Sequence, residues 1–566
     1  MRWVAADFET SNSDINIAQQ YTRVWLWDVF DPVAKRHVSG DSIETFIEWL
    51  FKQKSLLLYF HNLKFDGAFI INYLLQYNFT IDNSKENGTI STLITDRLVW
   101  YTFTVYYKGR QYKFRDSSKK ITGKLEKAAI DFDLPIRKGE IDYRKHRDEG
   151  YKATEEEMQY IHNDTEILAD ILQYYYDNGM TGLTNASDAL KAYKRIVSDN
   201  GYKMFFPVLP KKVDDFIRKS YKGGFCYLKP SHFNEDLNKV YCYDVKSMYP
   251  SVMHDCLLPN GIPQYYEGEY NPDPFHPLYI QEIRVCCRVK EGGLPAIQSK
   301  GFLSSKLRYL TDTNGQMELM TLTNIDLELL YNNYEIEDIE FLRGLKFEAS
   351  NKLFAPYIEH FFSLKEQSKG AKKQLYKIFL NSLYGKFAMM TERQQALPKI
   401  INGVVHYDRT ESEEVEAVYT AVASFITSWA RHKLITAINE NWDNFIYCDT
   451  DSIHLTAPAQ NIELGTKLGQ FNLEHGHYEN GEPITDIIRG RYLGQKCYVL
   501  GERSKNGELL LKKIAGAPDK VKEEVTFDNF RINFTSDPYE FPKFRMKNVR
   551  GGVLLIPTSF TIKEKL

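Results

Sequence analysis

The chain opens on an alternation of short apolar runs and amphipathic stretches. Residues 3–6 and 56–60 are apolar runs of strand length, and residues 67–76 carry the period of a helix. A longer helix is predicted from Thr154 to the Asn178-Gly179 pair, because Thr154 and Glu157 form a capping box and Asn-Gly supplies a stop. Residues 184–200 read as the joint between this first α/β unit and the rest. From Tyr241 the order becomes strand, acid, helix. Residues 257–351 mix strands with Pro and Gly turns and are too many for a loop. A lysine-rich helix is expected over 370–386, a β-hairpin turning at Asn402-Gly403, a helix over 421–441 and a strand-turn-strand over 444–455. The tail from 522 reads as a small, basic, β-rich unit, and no internal repeat or low-complexity linker interrupts the chain.

At 566 residues the chain is too long for one core and should divide into several domains. Apolar content of 43% and charged content of 26% fit a well-packed soluble protein. The net charge of −3 gives no sign of a nucleic-acid partner, but acidic metal sites and basic DNA tracks cancel in such a sum. The seven cysteines are odd in number, lack a Cys-x-x-Cys pair and include adjacent Cys286 and Cys287. They read as reduced thiols with neither a zinc site nor a disulfide framework. No apolar run reaches membrane-spanning length, and Asp7 and Glu9 interrupt the stretch a signal peptide needs. A soluble intracellular protein is expected.

Four acids of the first unit stand where strands end or helices begin. Asp7 and Glu9 lie two apart on a strand and project from one side of a sheet. Asp66 follows an apolar strand and opens a helix; Asp164 lies one turn beyond Tyr160 on the capped helix. Taken singly, each reads as a cap or turn residue, and Glu155, Glu156 and Glu157 read as a solvated face. Together they suit a pair of divalent ions about 4 Å apart that stabilise a phosphodiester under displacement. The Tyr160 hydroxyl would orient the attacking water.

A second cluster lies further on. In YCYDVKSMYP, Asp244 ends an apolar strand; in YCDTDSIH, Asp449 and Asp451 sit at the tip of a hairpin. Carboxylates beside apolar strands are costly unless a cation or donors compensate. A Mg²⁺ pair does so and also neutralises a triphosphate; an ordinary acidic turn is the other reading. Between these acids, Lys373, Lys377, Asn381 and Tyr384 share one helical face, with Lys365 just upstream. Such a stripe suits a nucleoside triphosphate, although lysine faces are commonly just solvated. The Asn-Ser-x-Tyr-Gly at its end favours the first.

These residues resemble two known patterns. DFET from Asp7, HNLKFDGAF from His61, and Tyr160 with Asp164 are similar to the three motifs of DEDDy exonucleases. Residues 244–250 resemble motif A of family B DNA polymerases, with Met248 in place of leucine; Lys377 with 381–385 resembles motif B, and 447–452 motif C. KCY from Lys496 resembles the motif that holds a primer end, YKGGF from Tyr221 the linker between nuclease and polymerase modules, and TSWAR from Thr427 a palm motif touching template or primer. The likeness covers nearly the whole chain. It lies nearest the protein-primed family B polymerases of small tailed bacteriophages with linear double-stranded DNA genomes, whose compact chains carry extra segments between motifs A and B and between B and C.

The resemblance implies a multidomain α/β and α+β fold: an RNase H-like exonuclease domain followed by a right-hand polymerase with two insertions. Its parts would be the exonuclease at 1–184, a first palm portion at 185–255, a terminal-protein-binding insertion at 256–352, fingers at 353–388, a β-hairpin insertion at 389–419, a second palm portion at 420–521 and a thumb at 522–566. The hairpin insertion would close a ring around DNA, giving processivity and strand displacement. Asp244, Asp451 and the Val245 carbonyl would hold two Mg²⁺ ions, which Mn²⁺ can replace, with Asp449 in support. Lys365, Lys373, Lys377 and Asn381 would receive a dNTP, Tyr249 would exclude a 2′-hydroxyl and Tyr384 would stack near the base pair. Asp7, Glu9, Asp66 and Asp164 would hold the nuclease metals, and Lys138 would meet the scissile phosphate. Thr10, His61, Asn62, Phe65, Ser117 and Tyr143 would hold single-stranded DNA, and Tyr221, Gly223, Gly224, Thr427, Arg431, Lys496 and Tyr498 the primer and template. Three positions depart from the pattern: Ser118 replaces a leucine, an aromatic is absent near Gly123, and Lys222 stands where arginine is common.

The partners implied are primer-template DNA, dNTPs and a terminal protein serving as primer. The chain is expected to be a monomer in the cytoplasm of an infected bacterium, away from any membrane. A stand-alone nuclease and a non-catalytic scaffold are the competing readings. The triphosphate-binding stripe weighs against the first and the intact acids against the second.

Overall fold

The computed structural model describes residues 1–136, 139, 141–142, 144–147, 150–299, 309–505 and 507–564. Among them no helix is long and apolar enough to cross a membrane, and all seven cysteines are free.

The amino-terminal unit is built on an eight-stranded sheet in the order Arg36–Gly40, Val24–Asp31, Arg2–Thr10, Leu56–Phe60, Arg110–Asp116, Trp100–Tyr107, Thr89–Ile94, Thr80–Ile81. Leu56–Phe60 runs parallel to both neighbours and is buried throughout, which is why it lacks alternation. The Glu155–Asp177 helix packs across Arg2–Thr10 and Val24–Asp31, and the Leu63–Gln76 helix against Trp100–Tyr107 and Arg110–Asp116. The latter helix begins four residues before the expected start. Asn62 takes a left-handed φ of 72° ahead of it and donates its N–H to Asp116 Oδ1 at 3.1 Å.

The capping box of Thr154 and Glu157 forms as its residues dictate. Glu157 is nevertheless not part of a solvated face. The first turn of the helix lies against Lys145, Arg147 and Tyr151, and the Glu157 carboxylate binds Arg147 and the Tyr151 hydroxyl. Burial opposes its charge, but the Thr154 N–H, Tyr151 and Arg147 hold its pKa down at about 2.

The second unit centres on a five-stranded antiparallel sheet in the order Phe471–Glu474, Tyr241–Val245, Ser452–Leu455, Phe445–Asp449, Cys226–Leu228. The Thr420–Glu440 helix has apolar residues all round and is buried along most of its length. Residues expected as one lysine-rich helix form Gly370–Ser382 and a short turn, Tyr384–Phe387, separated at Leu383. The segment too long for a loop folds as a four-stranded sheet in the order Leu258–Glu267, Tyr334–Ser350, Leu278–Val289, Glu318–Thr323, with the Asn324–Asn333 helix.

Ala396–Ile401 and Val404–Arg409 form the expected hairpin; Asn402 and Gly403 both have left-handed φ, 52° and 78°. Its tip is tied to the amino-terminal unit, where Asn72 Nδ2 donates to the Gly403 carbonyl at 2.9 Å. It is tied to the tail as well, where Asn548 Nδ2 donates to the Val405 carbonyl at 2.8 Å. Thr22 N–H donates to the Arg550 carbonyl at 3.1 Å, so hairpin, amino-terminal unit and tail join one another in a closed circuit. The tail does not begin at 522. Leu493, Cys497, Val499 and Ile514 share one apolar cluster with Val521, Phe530 and Ile562, so a cut at 521/522 would divide a single core.

Two carboxylate clusters as candidate active sites

Strand pairing assembles the second cluster. Asp244 lies opposite Ser452 on one side and Asn472 on the other, while Asp449 faces Ser452 from the next strand. The Val245 N–H donates to the Asp451 carbonyl at 2.7 Å, and the Thr450 N–H to the Phe225 carbonyl at 2.7 Å. Thr450 sits at φ 64° and Ser247 at φ 57°. A β-branched residue there costs about 1–3 kcal/mol and persists only where its surroundings enforce it. Gly224 belongs to that enforcement, since a Cβ on it would meet Thr450 Oγ1 at 2.9 Å.

Burial, then the charges of Asp451 and Glu474, push the Asp244 carboxyl up to about 7, against the pull of Lys377. Burial, Asp449 and Glu474 push Asp451 up to about 6, against its backbone hydrogen bond and Lys496. Asp449 by contrast pairs with Lys496 Nζ at 3.1 Å, whereas neither Asp244 nor Asp451 has an ion pair among the described residues. Two crowded, unneutralised carboxylates offering only oxygen donors fit hard divalent cations. Both folded-state values exceed the ordinary 3.8. The folded protein therefore holds extra protons between about pH 4 and 7, and in the absence of divalent ions it should lose stability as pH rises through that window. Thermal melts in chelator should show this slope, and added Mg²⁺ should remove it.

Lys377 and Lys373 are exposed on the Gly370–Ser382 helix, as is Asn381. Lys365 is largely buried, and its ammonium is disfavoured first by burial and, despite Glu366, by the neighbouring Lys246 and Lys373. Its Nζ pairs with Glu366 Oε1 at 3.4 Å. Tyr249 and Tyr384 lie with ring centroids 4.3 Å apart, and the Tyr221 hydroxyl stands close to that of Tyr384. Tyr221 is thus joined to the aromatic wall beneath the expected sugar position. Lys496 is exposed, while Tyr498 packs half-buried among Tyr447, His454 and Tyr492.

Two expected DNA contacts are corrected. Thr427 is fully buried and its hydroxyl donates to the Ala423 carbonyl within its own helix. Arg431, 2% exposed, grips both oxygens of Asp326 and donates to the Lys222 and Gly223 carbonyls. It fastens the YKGGF segment to the helix instead of facing a groove. Arg431→Met would strand the buried Asp326 charge, so denaturant unfolding should register a loss of about 3–5 kcal/mol.

The first cluster lies in a cleft of about 400 Å³ lined by Asp7, Glu9, Thr10, Asn62, Phe65, Asp66, Tyr160 and Asp164. A register shift between Glu9 and Thr10 re-aims the strand end at this point. Burial, then Asp7 and further off Glu9, raise the Asp66 carboxyl well above the usual range. Its buried Oδ1 has no hydrogen-bond partner among the described residues, which suits a cation there. An adjoining cleft of about 530 Å³ shares Asp7, His61, Asn62 and Asp164.

His61 is held at both ring nitrogens, by Ser117 Oγ at 3.0 Å and by the Gly123 carbonyl at 2.9 Å. Ser117 is fully buried, so it orients His61 and does not itself meet a strand. Phe65 is half-buried against Phe69. Lys138 and Tyr143 lie outside the described residues.

Sequence reasoning missed Glu474 and Lys246 at the second cluster. It also missed Phe544, Met546 and Leu555, which reach the cleft of the first cluster from the tail. Lys246 stands two residues beyond Asp244, and only that spacing signalled it.

Comparison with protein families matches residues 47–154 and 140–464 to the family described as DNA polymerase type B, organellar and viral. The DNA polymerase of Bacillus phage phi29 is 37% identical over 588 residues, covering 99% of this chain and 98% of that protein. That of Streptococcus phage Cp-1 is 34% identical, covering 99% of both. The solved phi29 DNA polymerase in complex with primer-template DNA and incoming nucleotides superposes with a TM-score of 0.90 at 36% identity, over 99% of this chain and all of that one. The nuclease unit and the palm, fingers and thumb of a polymerase account for the architecture. The chain belongs to the family B DNA polymerases, organellar and viral type, in the phage group that includes the phi29 enzyme.

Proposed function

We propose that the two carboxylate clusters divide the work of this DNA polymerase, Asp244 and Asp451 serving nucleotide addition and Asp7, Glu9, Asp66 and Asp164 serving 3′→5′ removal. The observation that carries the reading is the meeting of Asp244, on Tyr241–Val245, with Asp451, in the turn that leads into the adjacent strand Ser452–Leu455, within the field of Lys377. Membership of the family implies dependence on divalent metal, and the oxygen-only donors at each cluster suit two Mg²⁺ ions. Bound there, the ions would neutralise the acids and activate and stabilise the reacting oxygens.

The remaining work falls to the chain's own groups. Lys377, Lys373 and Lys365, with Lys246 beside them, neutralise the triphosphate. Asn381 lies on the same exposed face. Tyr384 borders the nascent base pair, and Tyr249, backed by the Tyr384 ring, closes the space a 2′-hydroxyl would need. Tyr249→Val should raise ribonucleotide incorporation about 10–200-fold relative to deoxyribonucleotides, read from single-turnover kcat/KM ratios. Lys496 balances Asp449 and reaches towards the primer end. In the nuclease cleft Tyr160 orients water, His61 is aimed by Ser117, and Phe65 offers its ring to an unpaired base.

The domain limits we adopt are those expected from the sequence, with the thumb core reaching back to Leu493. The insertion at 256–352 exposes Ile262, Tyr265 and Phe275, apolar surface that suits a terminal protein. The hairpin insertion with its ties to nuclease and tail suits a ring around DNA. Primed template with dNTPs and Mg²⁺ tests the catalytic reading: extension supports it, and degradation alone or inertness overturns it. Transfer of a nucleotide to a terminal protein without any nucleic-acid primer tests the mode of priming.

A further inference from the structure

Away from both clusters, Asp28, His37 and His162 bring one ligand atom each to within 4.8 Å of one another. Asp28 lies on Val24–Asp31 directly opposite Asp7, His37 on Arg36–Gly40, and His162 on the Glu155–Asp177 helix between Tyr160 and Asp164. Asp28 is fully buried. Its Oδ2 lies 2.8 Å from His37 Nδ1 and accepts the Thr165 hydroxyl at 2.6 Å; its Oδ1 accepts the Ser39 hydroxyl at 2.7 Å. The two imidazoles stack with centroids 3.9 Å apart. His162 Nε2, 3.5 Å from Asp28 Oδ1 and 3.2 Å from Ser39 Oγ, has the longest contacts of the group.

We propose that Asp28, His37 and His162 form a third cation site, for a single Zn²⁺ or similar imidazole-seeking ion, which pins the helix bearing Tyr160 and Asp164 to the nuclease sheet. Two imidazole nitrogens and one carboxylate, with room for water, are a donor set that prefers such ions to Mg²⁺. The outer contacts agree. His37 Nε2 lies 2.8 Å from Glu166 Oε1, so the tautomer with its proton on Nε2 donates to Glu166 and leaves the Nδ1 lone pair for the ion. That carboxylate–histidine arrangement is how metal-bound imidazoles are oriented. An ion at the edge of the stacked rings, held by His37 Nδ1 and Asp28, would also draw His162 Nε2 in from its long contacts. No cysteine takes part, so the cysteine spacing gave no sign of this site.

Full-length protein, stripped with chelator and dialysed against micromolar Zn²⁺ in millimolar Mg²⁺, should keep one equivalent of zinc more than His37→Gln/His162→Gln. Asp7→Ala/Glu9→Ala should keep that equivalent, which separates it from the nuclease acids. Co²⁺ in place of Zn²⁺ should show d–d absorption that the double-histidine variant lacks. Glu166→Gln alters a partly exposed side chain and leaves the ligands in place, and it should weaken zinc affinity about 10-fold or more. Equal zinc content in the parent and the folded double-histidine variant would overturn the proposal and leave a purely hydrogen-bonded cluster. So would a parent that retains no zinc. Should the double variant fail to fold, unchanged affinity in Glu166→Gln decides against it.

Discussion

Asp244→Asn is expected to lower the rate of nucleotide addition at least about 10³-fold, some 4 kcal/mol of barrier, while degradation of single strands continues. The amide keeps the shape of the carboxylate and removes its charge, so the loss would report electrostatics and not packing. Asp244 is buried beside Asp451 and Glu474, with Lys377 opposing. Removing its charge should therefore stabilise the ion-free protein near neutral pH, where the crowded acids repel. Lower activity with a higher melting temperature in chelator is the combined signature, because a merely structural aspartate would lower both. Asp451→Asn should behave alike. Asp449→Asn should cost less, since its partner Lys496 already answers its charge.

The second large effect lies in the other unit. Asp7→Ala/Glu9→Ala should cut 3′→5′ degradation by about 10³-fold or more and leave primer extension within a few-fold of the parent, measured by gel on matched and frayed primers. The separation follows from geometry: Asp7 and Glu9 stand on Arg2–Thr10 in one sheet, and Asp244 and Asp451 on Tyr241–Val245 and the turn after Phe445–Asp449 in another. The same variant should relieve repulsion on Asp66, whose carboxyl is raised by burial and by Asp7 and Glu9. In chelator it should thus lose part of the destabilisation that the parent shows as pH rises.

Which features were legible in the chain follows from the range of the forces involved. Acids flanked by apolar strands, the Thr154 capping box and the Asn402-Gly403 turn are local patterns, and local sterics and hydrogen bonds determine them. Glu474 joins Asp244 only through pairing of strands distant along the chain, and Phe544 reaches the nuclease cleft from the far end. Nothing near either residue announces its role. Thr427, Arg431 and Ser117 erred in the opposite direction. Each is expected at DNA from its motif, yet each is buried, and Ser117 and Arg431 hold neighbouring groups in place. Glu157 shows the same effect at a helix terminus, where a run of acids that looks solvated has one member folded inward onto Arg147. Asp28, His37 and His162 are too scattered for any spacing rule, and three elements of the nuclease unit must pack before they meet.

Crystals of the full chain soaked in Mn²⁺ with primer-template DNA and a non-hydrolysable dNTP give the most direct test. Anomalous density bridging Asp244 and Asp451, with the triphosphate against Lys373 and Lys377, is the predicted result. Those two carboxylates standing apart with no ion between them would contradict the account.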